Sequence, residues 1–269
     1  MSWLGDQCMN WLPGIDSGST RRVVILSEDR EVAVDELGHP IFARPDDFRL
    51  IDTQHILVGT LKDVTYFAVR VTEAADFKFE SLRPVLINID SENFIPVNAS
   101  VQMLDFSKDH RFCGRCGQQI KTSSKDRGRK CETCDLVQYP RISPCIIVLI
   151  TRGKEVLLAR APHFVGGMYS TLAGFLESGE SAEHACHREV LEEVGVRIEN
   201  PIYQGSQSWP FKHSLMLGYR AAWKSGNIQI DGLEIVDARW FKIDSLPKLP
   251  PRASISRGMI DAFVGEQLS

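Results

Sequence analysis

The chain contains no apolar run longer than Cys145 to Ile150, far short of the roughly 20 residues that cross a bilayer as a helix. Its first residues, Met1 to Asn10, lack the basic start and apolar stretch of a secretory signal, so the expectation is a cytoplasmic protein with no membrane partner. It also lacks an excess of either charge. The 31 Lys and Arg against 35 Asp and Glu leave a net charge of -4, which offers no overall field to a polyanion and disfavours a general nucleic-acid binder. There is no internal repeat and no low-complexity tail, which excludes solenoids and extended disordered arms. Cysteine is sparse, with seven residues in 269, and in a reducing compartment these serve as metal ligands or buried thiols rather than as a disulfide framework.

Length favours more than one module, and the composition is that of an ordinary globular protein. Short alternating runs such as Val23 to Leu26 and Tyr66 to Val71 indicate a β-rich N-terminal domain over residues 1–105. Within it, Pro84 to Asn98 fits strand or buried helix equally well. Residues 106–140 hold two cysteine pairs and form a metal-stapled insert. Residues 141–269 mix strand-like runs (Cys145 to Thr151, Val156 to Ala159, Leu215 to Trp223, Ala238 to Phe241) with a patterned helix and a C-terminal helix near Ser254 to Val264. That is an α+β or α/β catalytic domain.

Cys113 and Cys116, then Cys131 and Cys134, are two C-x2-C knuckles 14 residues apart, close to the spacing of a four-thiolate tetrahedral site. With all four positions supplied by protein, the metal expected is one structural Zn2+. Cys8, Cys145 and Cys186 fall outside the pattern and read as small buried residues. Between the knuckles, Lys121, Lys125, Arg127, Arg129 and Lys130 make a basic loop without interleaved aromatics, so a solvated hairpin tip is favoured over a nucleic-acid contact.

From Ala182 to Val194 the apolar stripe Ala182, Ala185, Cys186, Val190 and Val194 has helical spacing, Ser181 can cap its start and Gly195 its end. Glu189, Glu192 and Glu193 share one arc of that helix, near the end where the macrodipole disfavours anions. Such crowding asks for a hard cation, Mg2+ or Mn2+, although a solvated acidic face would look the same.

The whole stretch from Gly174 to Val196 resembles the G-x5-E-x7-R-E-U-x-E-E-x-G-U signature of the Nudix hydrolases. The resemblance implies an α/β/α sandwich that hydrolyses nucleoside diphosphates linked to another group. It implies that Glu189, Glu192 and Glu193 hold Mg2+ or Mn2+, with Glu193 also the general base, Glu180 near the metal, Arg188 orienting the carboxylates and the Gly174 turn supporting the loop. Ser206 to Ser214 (Ser-Gln-Ser-Trp-Pro-Phe-Lys-His-Ser) resembles the S-Q-P-W-P-F-P-x-S array of the NADH pyrophosphatase subfamily, which also carries a zinc ribbon followed by Tyr-Pro-Arg, here Tyr139 to Arg141. From that likeness Tyr139 and Phe175 would enclose a base, with Gln207, Ser208, Trp209, Ser214 and Ser256 near the ligand and Glu234 an additional metal ligand. Trp209 and Phe211 also fit as core residues of a proline-constrained loop. Ser208 and Lys212 stand where the array has proline. The implied substrate is NADH or NAD+, extending to NAD-capped RNA, and the implied state is a homodimer. A Nudix enzyme for ADP-ribose or a diadenosine polyphosphate, and a zinc-ribbon nucleic-acid-binding protein with an inactive Nudix domain, are the alternatives.

Overall fold

The computed structural model describes residue 9 and residues 20–47, 50, 54–72, 77–123, 126–230 and 232–268. Cys8, Lys125 and most of the first ten residues lie outside these. The described residues form two compact units, one of those up to residue 141 with 210–213, the other of those in 142–209 and from 214 on.

The first unit is built on a six-stranded sheet of β1 (Thr20–Ser27), β2 (Val32–Val34), β3 (Phe42–Ala43), β4 (Ile56–Leu61), β5 (Val64–Val71) and β6 (Lys78–Glu80), ordered β4-β5-β1-β2-β6 with β3 beside β1. The segment Pro84 to Asn98 is helical, divided between α1 (Leu82–Asn88) and α2 (Ser91–Asp109). Asp90 caps α2 by accepting from the Asn93 amide at 2.8 Å. The helix continues beyond residue 105, and it escapes pattern reading because polar Asn98 and Ser100 are buried beside Phe94, Val97 and Val101. Burial there does not follow hydrophobicity, so no clean 3.6-residue stripe is written in the sequence.

A small ribbon follows, with β7 (Lys121–Thr122), β8 (Arg129–Lys130) and β9 (Val137–Gln138) in a three-stranded antiparallel sheet. Three of its basic residues bond locally. Lys121 pairs with Glu132 at 2.9 Å, Lys130 with Asp135 at 2.7 Å, and Arg129 donates to the Ser107 carbonyl at 2.9 Å. β7 and β8 form the two sides of a hairpin, and Lys125 lies outside the described residues.

The second unit is a three-layer α/β/α sandwich. Its sheet runs β13 (Arg197–Trp209), β14 (Ser214–Ser225), β10 (Ser143–Arg152), β11 (Glu155–Arg160), β15 (Asp237–Lys242), with β12 (Leu172–Phe175) also paired to β10. The run Cys145 to Ile150 is apolar throughout because β10 is covered on both sides. Ile146, Val148 and Ile150 pack with α3 (Ala182–Val194) residues Ala185, Cys186, Val190 and Val194, whereas Ile147 and Leu149 pack with α4 (Ile255–Leu268) residues Ile255, Met259, Ile260 and Phe263. Fully burying each such aliphatic side chain contributes about 2 kcal/mol. Among the described residues no helix is long and apolar enough to cross a membrane.

The array Ser206 to Ser214 is mostly strand rather than loop. Ser206 to Trp209 end β13, Ser214 opens β14, Trp209 and Ser214 are paired, and only residues 210–213 turn. The 13-residue β13 carries three register irregularities and a mixed burial pattern, which hides the period-two signal.

Candidate active site

Helix α3 starts where Ser181 accepts the His184 amide at 3.2 Å, and it ends where Gly195 adopts a left-handed φ of 72°. Its apolar stripe faces the sheet, and the carboxylates range from exposed Glu192 to buried Glu193 around the rest of the helix.

Arg188 is the hub of the cluster. Its guanidinium donates to Glu180 through Nε at 2.9 Å and Nη2 at 2.8 Å, to Glu189 at 2.8 Å, to Glu192 at 3.1 Å and to the Phe175 carbonyl at 2.9 Å. A planar fork of five donors suits this bridging, which a lysine could not reproduce. The Arg188 bonds, aided by the Glu177 amide, hold the Glu180 carboxyl down at about 2. Burial pushes Glu189 the other way, above the usual carboxylate range, against the opposing pull of Arg188. Repulsion among the glutamates is thus relieved by one cation placed between them.

The three signature glutamates differ in surroundings. Glu192 is exposed, the Glu189 side chain is only 12% exposed, and Glu193 is buried. Glu193 and Glu234 line one cleft of about 410 Å³, together with Thr171, Leu172, His163 and Phe164. Long-range folding rather than motif spacing brings Glu234 there, as part of the segment preceding β15.

Gly174 is not a turn, as the sequence reading had it. It lies within β12 opposite Ile146, and a Cβ at that position would come 1.9 Å from the Glu189 carboxyl carbon. Glycine is required because the carboxylate occupies the space of a side chain. In Gly174→Ala, Glu189 must swing out of the Arg188 bond, and turnover should fall by on the order of 100-fold. Steady-state kinetics at saturating metal checks this; turnover within twofold of wild type would refute it.

The remaining site candidates divide by unit. In the second unit the Phe175 ring is exposed at the end of β12. Gln207 is buried, and its amide is committed to the start of α4, donating to the Ala253 carbonyl at 2.7 Å and accepting the Ile255 amide at 2.8 Å. Ser256 is likewise buried, with its hydroxyl 2.9 Å from both Ser170 Oγ and Thr171 Oγ1. Ser214 is buried, while Ser208 and Trp209 are half-buried. Thr171, which the sequence reading missed, joins this hydroxyl group to the cleft wall. No spacing signal could have found it, since its partner lies 85 residues away. In the first unit Tyr139 is exposed, and its hydroxyl donates to Asp126 at 3.0 Å, which raises the phenol above its ordinary range.

The four ribbon sulfurs lie within 4.8 Å of one another, and among the described residues no other group of three or more potential ligands gathers so closely. The Cys113 thiol accepts the Arg115 amide at 3.4 Å, and amides of Cys116 and Arg115 draw it down to about 6. Four sulfurs within reach of one ion suit structural Zn2+. Cys145 and Cys186 are buried and pushed up to about 12, as befits inert core thiols.

Residues 141–263 match the NUDIX domain, and residues 108–139 match the NADH pyrophosphatase zinc ribbon domain. The NAD-capped RNA hydrolase NudC of Pseudomonas syringae pv. syringae (strain B728a) is 50% identical over 189 residues, covering 70% of this chain and 68% of that protein. The NAD-capped RNA hydrolase NudC of Pseudomonas putida (strain GB-1) is 47% identical over 214 residues, 78% of each chain. Among solved structures, a NUDIX hydrolase from Nitrosomonas europaea shares the fold, with a TM-score of 0.51 at 21% identity over 59% of this chain and 92% of that one. The chain belongs to the Nudix hydrolase family, in the branch whose members carry the NADH pyrophosphatase zinc ribbon.

Proposed function

We propose that this chain hydrolyses the pyrophosphate bond of NADH or NAD+, giving AMP and the nicotinamide mononucleotide, and removes the NAD cap from RNA 5′ ends. The observation that carries the reading is the arrangement around α3. One arginine orients Glu180, Glu189 and Glu192, while Glu193 and Glu234 face a common cleft. An all-carboxylate donor set fits Mg2+ or Mn2+. Glu189, Glu192, Glu193 and Glu234 would hold these ions, which supply charge neutralisation for the diphosphate and a lowered pKa for the attacking water.

The chain's own groups do the rest. Glu193 takes the proton from the attacking water as its oxygen bonds to phosphorus and the bridging P–O bond breaks. Arg188 keeps Glu189 and Glu192 oriented, and Gly174 leaves room for Glu189. The exposed ring of Phe175 offers a stacking face for a base, and Tyr139, in the other unit, is exposed as well. Gln207 and Ser256 act one step back, by fixing the start of α4 and the hydroxyl group at Thr171. Ser208, Trp209 and Ser214 sit at the end of the β13 and β14 pair, within reach of whatever that hairpin borders.

Product analysis after incubation with NADH, NAD-capped RNA, ADP-ribose and a diadenosine polyphosphate, each with Mn2+, tests the assignment. The expected products are AMP and the reduced mononucleotide from NADH and 5′-monophosphate RNA from the capped strand. Preferential cleavage of ADP-ribose would replace this reading with another Nudix specificity. A cytoplasmic homodimer completes the proposal. The exposed Ile202 and Tyr203 on β13, which ends the second unit's sheet, offer an apolar edge for self-association, and light scattering showing a monomer at micromolar concentration would count against it.

A further inference from the structure

The tip of the hairpin between β13 and β14 is held by two arginines from a distant part of the sequence. Residues 210–213 fold with the first unit. Arg30 donates from Nη2 to the Pro210 carbonyl at 2.7 Å, and the Arg83 guanidinium lies 4.5 Å from the centre of the Phe211 ring. Arg30 is itself braced. Its Nη2 also meets Asp105 at 2.9 Å, and Arg70 ties Asp105 to the turn that presents Arg30, through the Ser27 and Glu28 carbonyls at 3.0 and 3.1 Å.

The backbone at Arg30 has a φ of 66°, a left-handed conformation for which glycine is the default residue. An arginine placed there serves its side chain, not its turn. The turn closes the Trp209 and Ser214 pair, and Pro210 is its only proline, which fixes φ at one of four positions. The two arginines hold two successive residues of this turn.

We infer that Arg30 and Arg83 are positioning residues for the substrate-recognition hairpin, and that they add through side chains to the rigidity Pro210 supplies through the backbone. The inference rests on the proposed NADH hydrolysis for its kinetic consequence, and on the tip contacts alone for its structural one. Neither arginine touches the reacting atoms in this account. Loss of either should weaken substrate binding while leaving the chemical step intact.

The test compares the full-length wild type with Arg30→Gly, Arg30→Lys, Arg83→Ala and the double variant Arg30→Gly with Lys212→Pro. Amide hydrogen exchange across residues 207–215 should speed up in Arg30→Gly and Arg83→Ala, because the tip loses an anchor. In both, KM for NADH should rise at least ~5-fold with kcat within twofold, the pattern of lost binding rather than lost transition-state stabilisation. Melting temperature of Arg30→Gly should stay level or rise, since glycine relaxes the left-handed turn. Arg30→Lys should retain near wild-type KM, and Lys212→Pro should restore it in the glycine background. Unchanged exchange in both variants, or a KM within twofold of wild type despite faster exchange, overturns the inference, as does a double variant whose KM stays raised. If the wild type does not cleave NADH, the functional reading fails, and exchange alone still decides whether the arginines anchor the tip.

Discussion

Glu193→Gln should lower kcat for NADH cleavage by at least ~100-fold, the lower range for loss of a general base, while KM stays within a few-fold. Glutamine keeps the length and helix propensity of the side chain, so α3 is not disturbed. The carboxylate is removed from a buried position in the cleft that Glu234 shares, where the proposed mechanism needs a proton acceptor. Melting temperature without added metal should hold or rise, because one member of an acidic cluster is gone and a buried charge with it. Kinetics and thermal unfolding with and without Mn2+ read both effects. Near wild-type turnover at saturating metal would remove Glu193 from the mechanism and redirect the search for a base to Glu234 or Glu180.

The second large effect concerns the ribbon. Cys113→Ser or Cys134→Ser should abolish the single tightly bound zinc and unfold residues near 110–139. Around the sulfurs, Ile120 and Leu136 are the only other apolar residues in the cluster among the described residues, far too few to close a core of their own. Structural zinc in small modules contributes on the order of 10 kcal/mol, so its loss exceeds what the three short strands can replace. Elemental analysis should give one zinc per chain for the wild type and almost none for the variants, and limited proteolysis should open the ribbon first. A zinc-free variant that resists proteolysis like the wild type would show that the thiols are not the staple.

Much of this was legible in the sequence because the relevant signals are local. The knuckle spacing predicts four sulfurs at one point, and they meet. Ser181, the apolar stripe and Gly195 predict α3 to the residue at its caps. The run Cys145 to Ile150 predicts a strand, although only the structure shows that both its faces are covered. What stayed hidden is non-local or irregular. Helix α2 buries Asn98 and Ser100, so its polarity does not trace its inner face. Strand β13 is broken by bulges. In the candidate site, the acidic helix and Arg188 were readable from spacing, but the commitment of Gln207 to the start of α4 and the bonding of Ser256 to Thr171 join residues tens of positions apart. The need for glycine at 174 was visible as a motif and not as a cause.

That cause reaches beyond the acidic cluster. A strand that is apolar on both faces cannot tell its correct pairing from one displaced by a residue, because polarity gives no penalty for the slip. Here β10 is such a strand, and β12 lies against it with Ala173 and Phe175 on either side of Gly174. Moving β12 by one position would carry a methyl or a benzyl group into the space the Glu189 carboxylate fills. A slipped β12 would therefore push Glu189 off Arg188, so the shape of the acidic cluster depends on the correct alignment of two strands that lie outside its own helix.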